Sequence, residues 1–383
     1  MQKQEQTVPE LRFPEFTDEW RKVKLGDSFF SRRERGEKHL PIYSVTQGQG
    51  LIKRSELERK ITFNASYDSN LKVYRQDLVY NMMRMWQGAV GYADEDCMVS
   101  PAYVVIAPYK DTCPKFYEQW FKFGHMLHLL WAFSHGLTND RLRLYPSDFS
   151  SIPHHKPELK EQQKIAAFLG SVDEKIMQLR KKKDLLEDYK KGCMQKIFSQ
   201  EIRFTDDNGK PFPDWEEKTV LDAFDPIPTK KFQIQSNEIF EVGAIPVVDQ
   251  GQALVAGYTD QESKVFNIKE IPVVIFGDHT TAVKFIDFNF VVGADGTKIL
   301  SSKEDYINYL YYALYFFNLE AEGYKRHFSI LKEVTLPIPQ LDEQKKIANF
   351  LSVIDGKIAL VAQELDKTQI FKKGLLQQMF VQG

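Results

Sequence analysis

The sequence predicts a mixed α/β (α+β) fold: two β-rich globules joined by two long antiparallel coiled-coil helices, arranged as a pseudo-twofold internal repeat. Three observations predict it. A segment recurs 182 residues later without a gap, apolar residues stand seven apart along both copies, and short apolar runs punctuated by Gly, Pro, Asn and Asp fill the chain before each copy. The predicted segments are a globule over 1–157, a helix over 158–199, a second globule over 200–339 and a second helix over 340–383. At 383 residues the chain is too long for one ordinary core.

The helices come first because the repeat defines them. Pro157-x-Leu159-x-Glu161-Gln162-x-Lys164-Ile165-Ala166-x-Phe168-Leu169 matches Pro339-x-Leu341-x-Glu343-Gln344-x-Lys346-Ile347-Ala348-x-Phe350-Leu351, and 17 of the 40 positions from 159 to 198 are identical in the second copy. Ile165, Val172, Leu179, Leu186 and Cys193 form one heptad stripe, and Ile347, Ile354, Val361, Thr368 and Leu375 form the other. Prolines just upstream fit a sharp helix start. A helix of 40 residues is about 60 Å long. An apolar stripe on such a helix needs a partner, and connectivity makes the other copy an antiparallel one. The C-terminus is then expected back at the first globule, with Leu11-Arg12-Phe13 meeting Phe380 as Ile202-Arg203-Phe204 follows Phe198.

The globules match more loosely. Trp20, Asp27 and Phe29 share their spacing with Trp215, Asp222 and Phe224, and Ile42-x-x-Val45-x-Gln47-Gly48-Gln49-x-Leu51 pairs with Ile245-x-x-Val248-x-Gln250-Gly251-Gln252-x-Leu254. Strands are expected at 42–45, 78–80, 102–107, 245–248, 272–276 and 290–292, and aromatic helices at 114–134 and 303–322.

Composition sets limits on function. Hydrophobic residues at 43% and charged residues at 27% exclude whole-chain disorder. No apolar stretch has membrane-spanning length and the start shows no basic-then-apolar leader, so a cytoplasmic protein is expected. Cys97, Cys113 and Cys193 stand far apart and offer neither a disulfide framework nor a thiolate metal site. The net charge of −2 hides an uneven distribution: residues 159–199 carry 10 basic against 6 acidic side chains, whereas 200–340 carry 13 against 22. Any affinity for nucleic acid therefore has to come from local patches.

Catalytic constellations are missing. There is no phosphate-binding G-x(4)-G-K-[ST] loop, no G-x-G-x-x-G, no H-E-x-x-H, no G-x-S-x-G and no Asn-Pro-Pro-aromatic run. The nearest approach to a metal-nuclease set is Asp249 with Glu262 and Lys264, and Thr46 replaces the first carboxylate in the other copy. No metal ligands are assigned. His125 and His128 read as core or surface residues, and His154-His155 as solvated linker. Asp278-His279-Thr280-Thr281 follows an apolar strand and reads either as a binding loop or as an ordinary turn.

Side chains suited to bases and phosphates stand in the loops. In the first copy they are Gln47, Gln49, Lys53, Arg54, Asn81, Arg84, Gln87, Arg141 and Arg143; in the second, Gln250, Gln252, His279, Thr280, Lys284, Lys298, Lys325 and Arg326.

The two P-x-L-x-E-Q-x-K-I motifs opening related long helices after divergent globules, with Phe276-Gly277-Asp278-His279-Thr280 and the Trp-x(6)-Asp-x-Phe starts, resemble the specificity subunits of type I restriction–modification systems. The resemblance covers nearly the whole chain. It implies target-recognition domains that each read half of a split site in double-stranded DNA, and helices that set the spacer between the halves. It also implies two modification subunits docked on the repeats, for which Leu159, Glu161, Gln162, Ile165 and Phe168, with Leu341, Glu343, Gln344, Ile347 and Phe350, are the candidate residues. No catalysis is expected in this chain and no cofactor on it. S-adenosylmethionine, ATP and Mg belong to the modification and restriction subunits in that scheme. The competing readings are a stand-alone metal-dependent endonuclease and a coiled-coil adaptor without DNA preference.

Overall fold

Leu159–Phe198 and Leu341–Met379 are α-helices of 40 and 39 residues, as the heptad stripes require. The computed structural model describes residues 7–57, 67–138, 141–268, 271–293, 295–321, 323 and 325–381. Among them, no helix is long and apolar enough to cross a membrane. The chain divides into two units inside the helices rather than at their ends: one takes the chain up to Arg180 and from Gln363 onward, the other is Lys181–Ala362. Each unit thus contains a globule and part of both helices.

Packing explains the division. In the first unit Ile165, Leu169, Val172 and Ile176 share a core with Leu375, Met379, Phe380 and Val381 and with the globule's Phe116, Tyr117 and Trp120. Asp173 meets Lys372 at 2.5 Å and Lys175 meets Glu364 at 2.8 Å, so one helix recedes as the other advances. In the second unit Met194, Ile197 and Phe198 share a core with Ile347, Leu351 and Ile354, and Lys190 meets Asp355 at 2.6 Å. That pair is the internal-repeat counterpart of Lys372 and Asp173.

The first unit has a four-stranded sheet in the order Phe29–Arg32, Tyr103–Pro108, Leu78–Asn81, Val90–Tyr92, and a second in the order Gly50–Lys53, Ile42–Thr46, Cys97–Val99, Leu71–Val73. The second unit repeats the plan with Asp225–Ile227, Thr297–Ser301, Val273–Gly277, Val283–Ile286 and, beside it, Gly257–Thr259, Ile245–Val248, Val291–Val292. All six expected strand segments are strands. The aromatic helices are shorter than expected. The first breaks into Pro114–Trp120 and Gly124–Ala132. The second is Ile307–Phe316, ending where Asn318 turns its own side chain onto the Leu319 N–H at 2.9 Å. Residue 322 of that expected helix lies outside the described residues.

A buried carboxylate ties each globule to its helix. Glu161 is fully buried and accepts from Arg12 Nε at 2.7 Å, Arg12 Nη2 at 2.8 Å and Trp20 Nε1 at 3.2 Å. Glu343 does the same with Arg203 Nε at 2.9 Å, Arg203 Nη2 at 3.0 Å and Trp215 Nε1 at 2.9 Å. The fork of the guanidinium fills both carboxylate oxygens, which is what a desolvated charge needs. The adjacent glutamine completes the joint. Gln162 donates to Pro157 O at 2.8 Å and accepts from the Cys113 N–H at 2.8 Å, just ahead of helix Pro114–Trp120. Gln344 donates to Pro339 O at 2.9 Å and accepts from the Tyr306 N–H at 2.7 Å, just ahead of Ile307–Phe316.

The chain ends close the first unit as expected. Leu11 N–H donates to Gln378 O at 2.9 Å, and its counterpart in the second unit is Ile202 N–H to Lys196 O at 3.1 Å. Phe380 stacks on Trp120 at 6.0 Å, and its counterpart Phe198 stacks on Phe316 at 4.8 Å.

His154 and His155 are a correction. They are buried, on strand Pro153–Lys156, which pairs antiparallel with Arg21–Lys24. The ladder holds the segment against the core, where His154 Nε2 meets the Tyr117 hydroxyl at 3.0 Å. Burial, helped by the nearby Lys156 and His155, pushes the His154 imidazole down to about 3.

Glu161→Ala leaves the Arg12 guanidinium and the Trp20 indole without their acceptor, and it is expected to lower stability by about 2–4 kcal/mol in chemical denaturation. Glu343→Ala should cost a similar amount. Because the folded-state value of His154 lies below the ordinary histidine value, its stabilising effect is complete above about pH 6.5 and is lost as pH falls toward 3, about 2 kcal/mol being gone by pH 5. His154→Leu, the residue found as Leu336 at the matching strand position, should flatten that slope; equal slopes contradict the assignment.

Candidate nucleic-acid interface

In the second unit four loops meet at one end of the sheet that contains Val273–Gly277. The turn after that strand places Asp278, His279 and Thr280, and Gly277 allows it because a Cβ there would stand 2.5 Å from Gln250 O. Gln250 bridges two neighbours: its Oε1 accepts from the His279 N–H at 3.1 Å and its Nε2 donates to Asp295 O at 2.9 Å. The Thr280 hydroxyl donates to the Gln250 carbonyl. Asp278, 4% exposed, anchors the fourth loop by accepting the His327 N–H on its carbonyl and the Phe328 N–H on Oδ1, both at 2.8 Å. This brings Lys325 and Arg326 to the same end, where His279 Nδ1 meets Lys325 O at 3.0 Å. Lys298 and Arg326 share a cavity of about 150 Å³ with Asp278 and Asp295.

The first unit builds the same arrangement from other residues. Strand Leu78–Asn81 leads into a loop in which Asn81 Oδ1 accepts from the Met83 N–H at 3.0 Å and Arg84 Nη1 donates to Gln87 Oε1 at 3.1 Å. Leu144 N–H donates to Met82 O at 2.9 Å, as His327 N–H does to Asp278 O, and so draws the exposed Arg141 and Arg143 toward that loop. Gln47 and Gln49 stand exposed at the tip of the hairpin Ile42–Thr46 and Gly50–Lys53. Gly91 lets that hairpin lie close, since a Cβ there would be 2.2 Å from Leu51 N.

The sequence candidates therefore separate. Asn81, Arg84, Gln87, Arg141 and Arg143 gather in one unit, and His279, Thr280, Lys298, Lys325 and Arg326 in the other. Gln47, Gln49 and Gln252 are exposed in turns. Others have internal work. Lys284 is 5% exposed, donates to Asp249 O at 2.9 Å, and burial lowers its ammonium while Asp249 opposes the shift. Its buried position removes it from the set that can meet phosphates. Gln250 is a brace for two loops. Lys53 pairs with Glu95 at 3.0 Å, which raises its ammonium, and Arg54 Nε donates to Ser44 Oγ at 3.1 Å. Sequence reading placed Asp278 in a candidate binding loop after an apolar strand but did not mark it as the residue that organises the neighbouring loop.

The helix-motif candidates are also corrected. Glu161, Gln162, Ile165, Glu343, Gln344 and Ile347 are buried within their units, so no second protein reaches their side chains. Phe168 and Phe350 are half-buried, packing on Phe13 and Phe204 at 5.9 Å each. Leu159 is half-buried as well, and Leu341 is exposed. The nuclease candidate Asp249 accepts the Gly251 N–H at 2.8 Å and faces Lys284 at 3.6 Å. Among the described residues no group of three or more His, Cys, Asp or Glu side chains is placed to hold a metal ion.

Residues 18–188 and 213–368 match the family model described as type I restriction modification DNA specificity domain. The chain is 27% identical over 153 residues to the specificity subunit of the type I restriction enzyme EcoR124I/EcoR124II of Escherichia coli, covering 37% of this chain and 38% of that protein. It is also 27% identical over 251 residues to the putative type I restriction enzyme MjaX specificity subunit of Methanocaldococcus jannaschii, covering 57% and 56%. The matched stretches thus span from about two fifths to just over half of those relatives. Among solved structures, the type I restriction-modification S subunit from M. genitalium superposes with a TM-score of 0.64 at 17% identity, over 97% of this chain and 99% of that one. That likeness is one of fold. With the family match running through most of both globules and into both long helices, the chain belongs to the type I restriction–modification DNA specificity family.

Proposed function

We propose that this protein is the non-catalytic subunit that gives a type I restriction–modification complex its DNA sequence preference, each globule reading one half of a two-part asymmetric site. The observation that carries this reading is the repeated loop frame with unlike side chains. A Leu144-to-Met82 hydrogen bond in one unit and a His327-to-Asp278 bond in the other hold equivalent loops, yet one set offers Asn81, Arg84 and Gln87 and the other His279 and Thr280. A common frame with different donors and acceptors is what two different half-sites call for.

Modification subunits are proposed as its partners, a reading that family membership supports, with adenine methylation and S-adenosylmethionine assigned to them and ATP-driven restriction to a third subunit type as part of the same proposal. The two helices are proposed to set the spacer, since each continues unbroken through the residues where one unit gives way to the other. Docking of the modification subunits then falls to exposed helix residues such as Leu185, Leu360 and Ile370.

Exchanging residues 201–338 for the corresponding globule of another family member should replace one half-site and leave the other as it was; a change in both would contradict independent reading. Removing one heptad from each helix should shorten the spacer by up to about three base pairs with both halves retained. An unaltered spacer would contradict the helical ruler.

A further inference from the structure

Each unit contains a groove between its globule and its helix pair, and the two grooves correspond through the repeat. Asp173, Ile176, Lys372, Lys373 and Leu376 line the groove of the first unit, of about 880 Å³; their counterparts 182 residues away, Asp355, Ile358, Lys190, Lys191 and Met194, line that of the second, of about 640 Å³. The frame is shared and the charge is not. In the second unit the helices add Glu187 and Asp188, and the globule wall is Tyr315 and Phe316. In the first, Gln369 stands where Glu187 does, Ile370 replaces Asp188, and Arg180 joins the lining. The helix side of that groove then holds three basic side chains against Asp173 alone. Lys372 spends its charge on Asp173 at 2.5 Å, which leaves the exposed Arg180 and Lys373 facing the opening.

The opposite wall identifies the occupant. It is the hairpin tip, Gly48 and Gln49 with Ile52 and Glu56 behind it, so the basic helix face is continuous with residues of the candidate interface. Resting on the reading of the protein as a DNA-recognition subunit, we infer that the sugar–phosphate strand of the bound duplex enters this groove and that Arg180 and Lys373 of the paired helices hold its phosphates. The helices on this side are then part of the DNA-binding surface and do more than separate the globules. The second groove, with its extra carboxylates, repels a phosphate strand and makes no equivalent contact. The DNA grip is consequently lopsided along a repeated molecule.

The test uses the full chain assembled with its modification subunits, a duplex carrying the methylated site and a scrambled duplex, with binding measured from 50 to 300 mM salt. Removing a phosphate contact lowers the slope of log affinity against log salt by about 0.9 and affects both duplexes alike. Arg180→Gln with Lys373→Gln is expected to lower the slope by about 1.8, with roughly tenfold or greater loss of affinity at 100 mM and an unchanged ratio between the duplexes. Lys191→Gln, the counterpart in the second unit, is expected to leave slope and affinity as they were. If the double variant keeps the wild-type slope while the complex still prefers its site, the groove assignment is overturned alone, and an acidic peptide becomes the better occupant. If the unsubstituted complex shows no preference between the duplexes, the recognition reading falls and takes the groove with it.

Discussion

The carboxylates of Glu161 and Glu343 are the joints on which both units depend. Each lies on the first turn of a long helix, is shut away from water, and is saturated by an arginine and a tryptophan from the segment that leads into its own globule. A carboxylate without partners in that position would cost several kcal/mol, so the arginine, the tryptophan and the helix start can form only together. The neighbouring glutamines carry the coupling one step on, clamping the N-terminal end of the aromatic helix in each globule. Sheet, helix and entry strand are therefore fixed with respect to one another within a unit, and the loops at the sheet end inherit that order.

Duplication followed by divergence accounts for the rest. Whatever touches the joint is retained in both copies: the Arg–Glu–Trp set, the glutamine clamp, the Lys–Asp pair between helices, the closing aromatic at Phe198 and Phe380. What faces outward from the loop frame has changed. Arg141 and Arg143 stand on the segment that carries Lys325 and Arg326 in the other unit, and Thr46 and Asp249 hold corresponding turns through different atoms, a hydroxyl bonded to the Gln49 N–H and a carboxylate bonded to the Gly251 N–H. Buried sites diverge too where packing permits, as with His154 against Leu336. Such a pattern separates what the fold requires from what a target selects, within one chain.

Much of this was legible in the residues. Heptad stripes located the first helix and the start of the second to within a residue, because 40-residue periodicity is strong and local, while the second helix ends at Met379, short of the expected 383; the return of the chain to Leu11 followed from connectivity. Strand positions were readable from short apolar runs. What could not be read was which polar residues turn inward. The E-Q dipeptide has the look of a surface motif until the arginine about 140 residues away is placed beside it, and Lys284 looks like a phosphate contact until the Asp249 carbonyl closes over it. His154 and His155 look like linker because nothing in their own neighbourhood shows that Arg21–Lys24 will pair with them. Long-range partners decided each of these cases.

The account rests on two similar frames presenting unlike loops to one duplex. Genome-wide mapping of the adenines methylated when this chain is expressed with its cognate modification subunit tests that most directly. The account predicts a single motif made of two different short sequences separated by a gap of fixed length and indifferent content. A continuous or palindromic motif, or methylation without sequence preference, would contradict it.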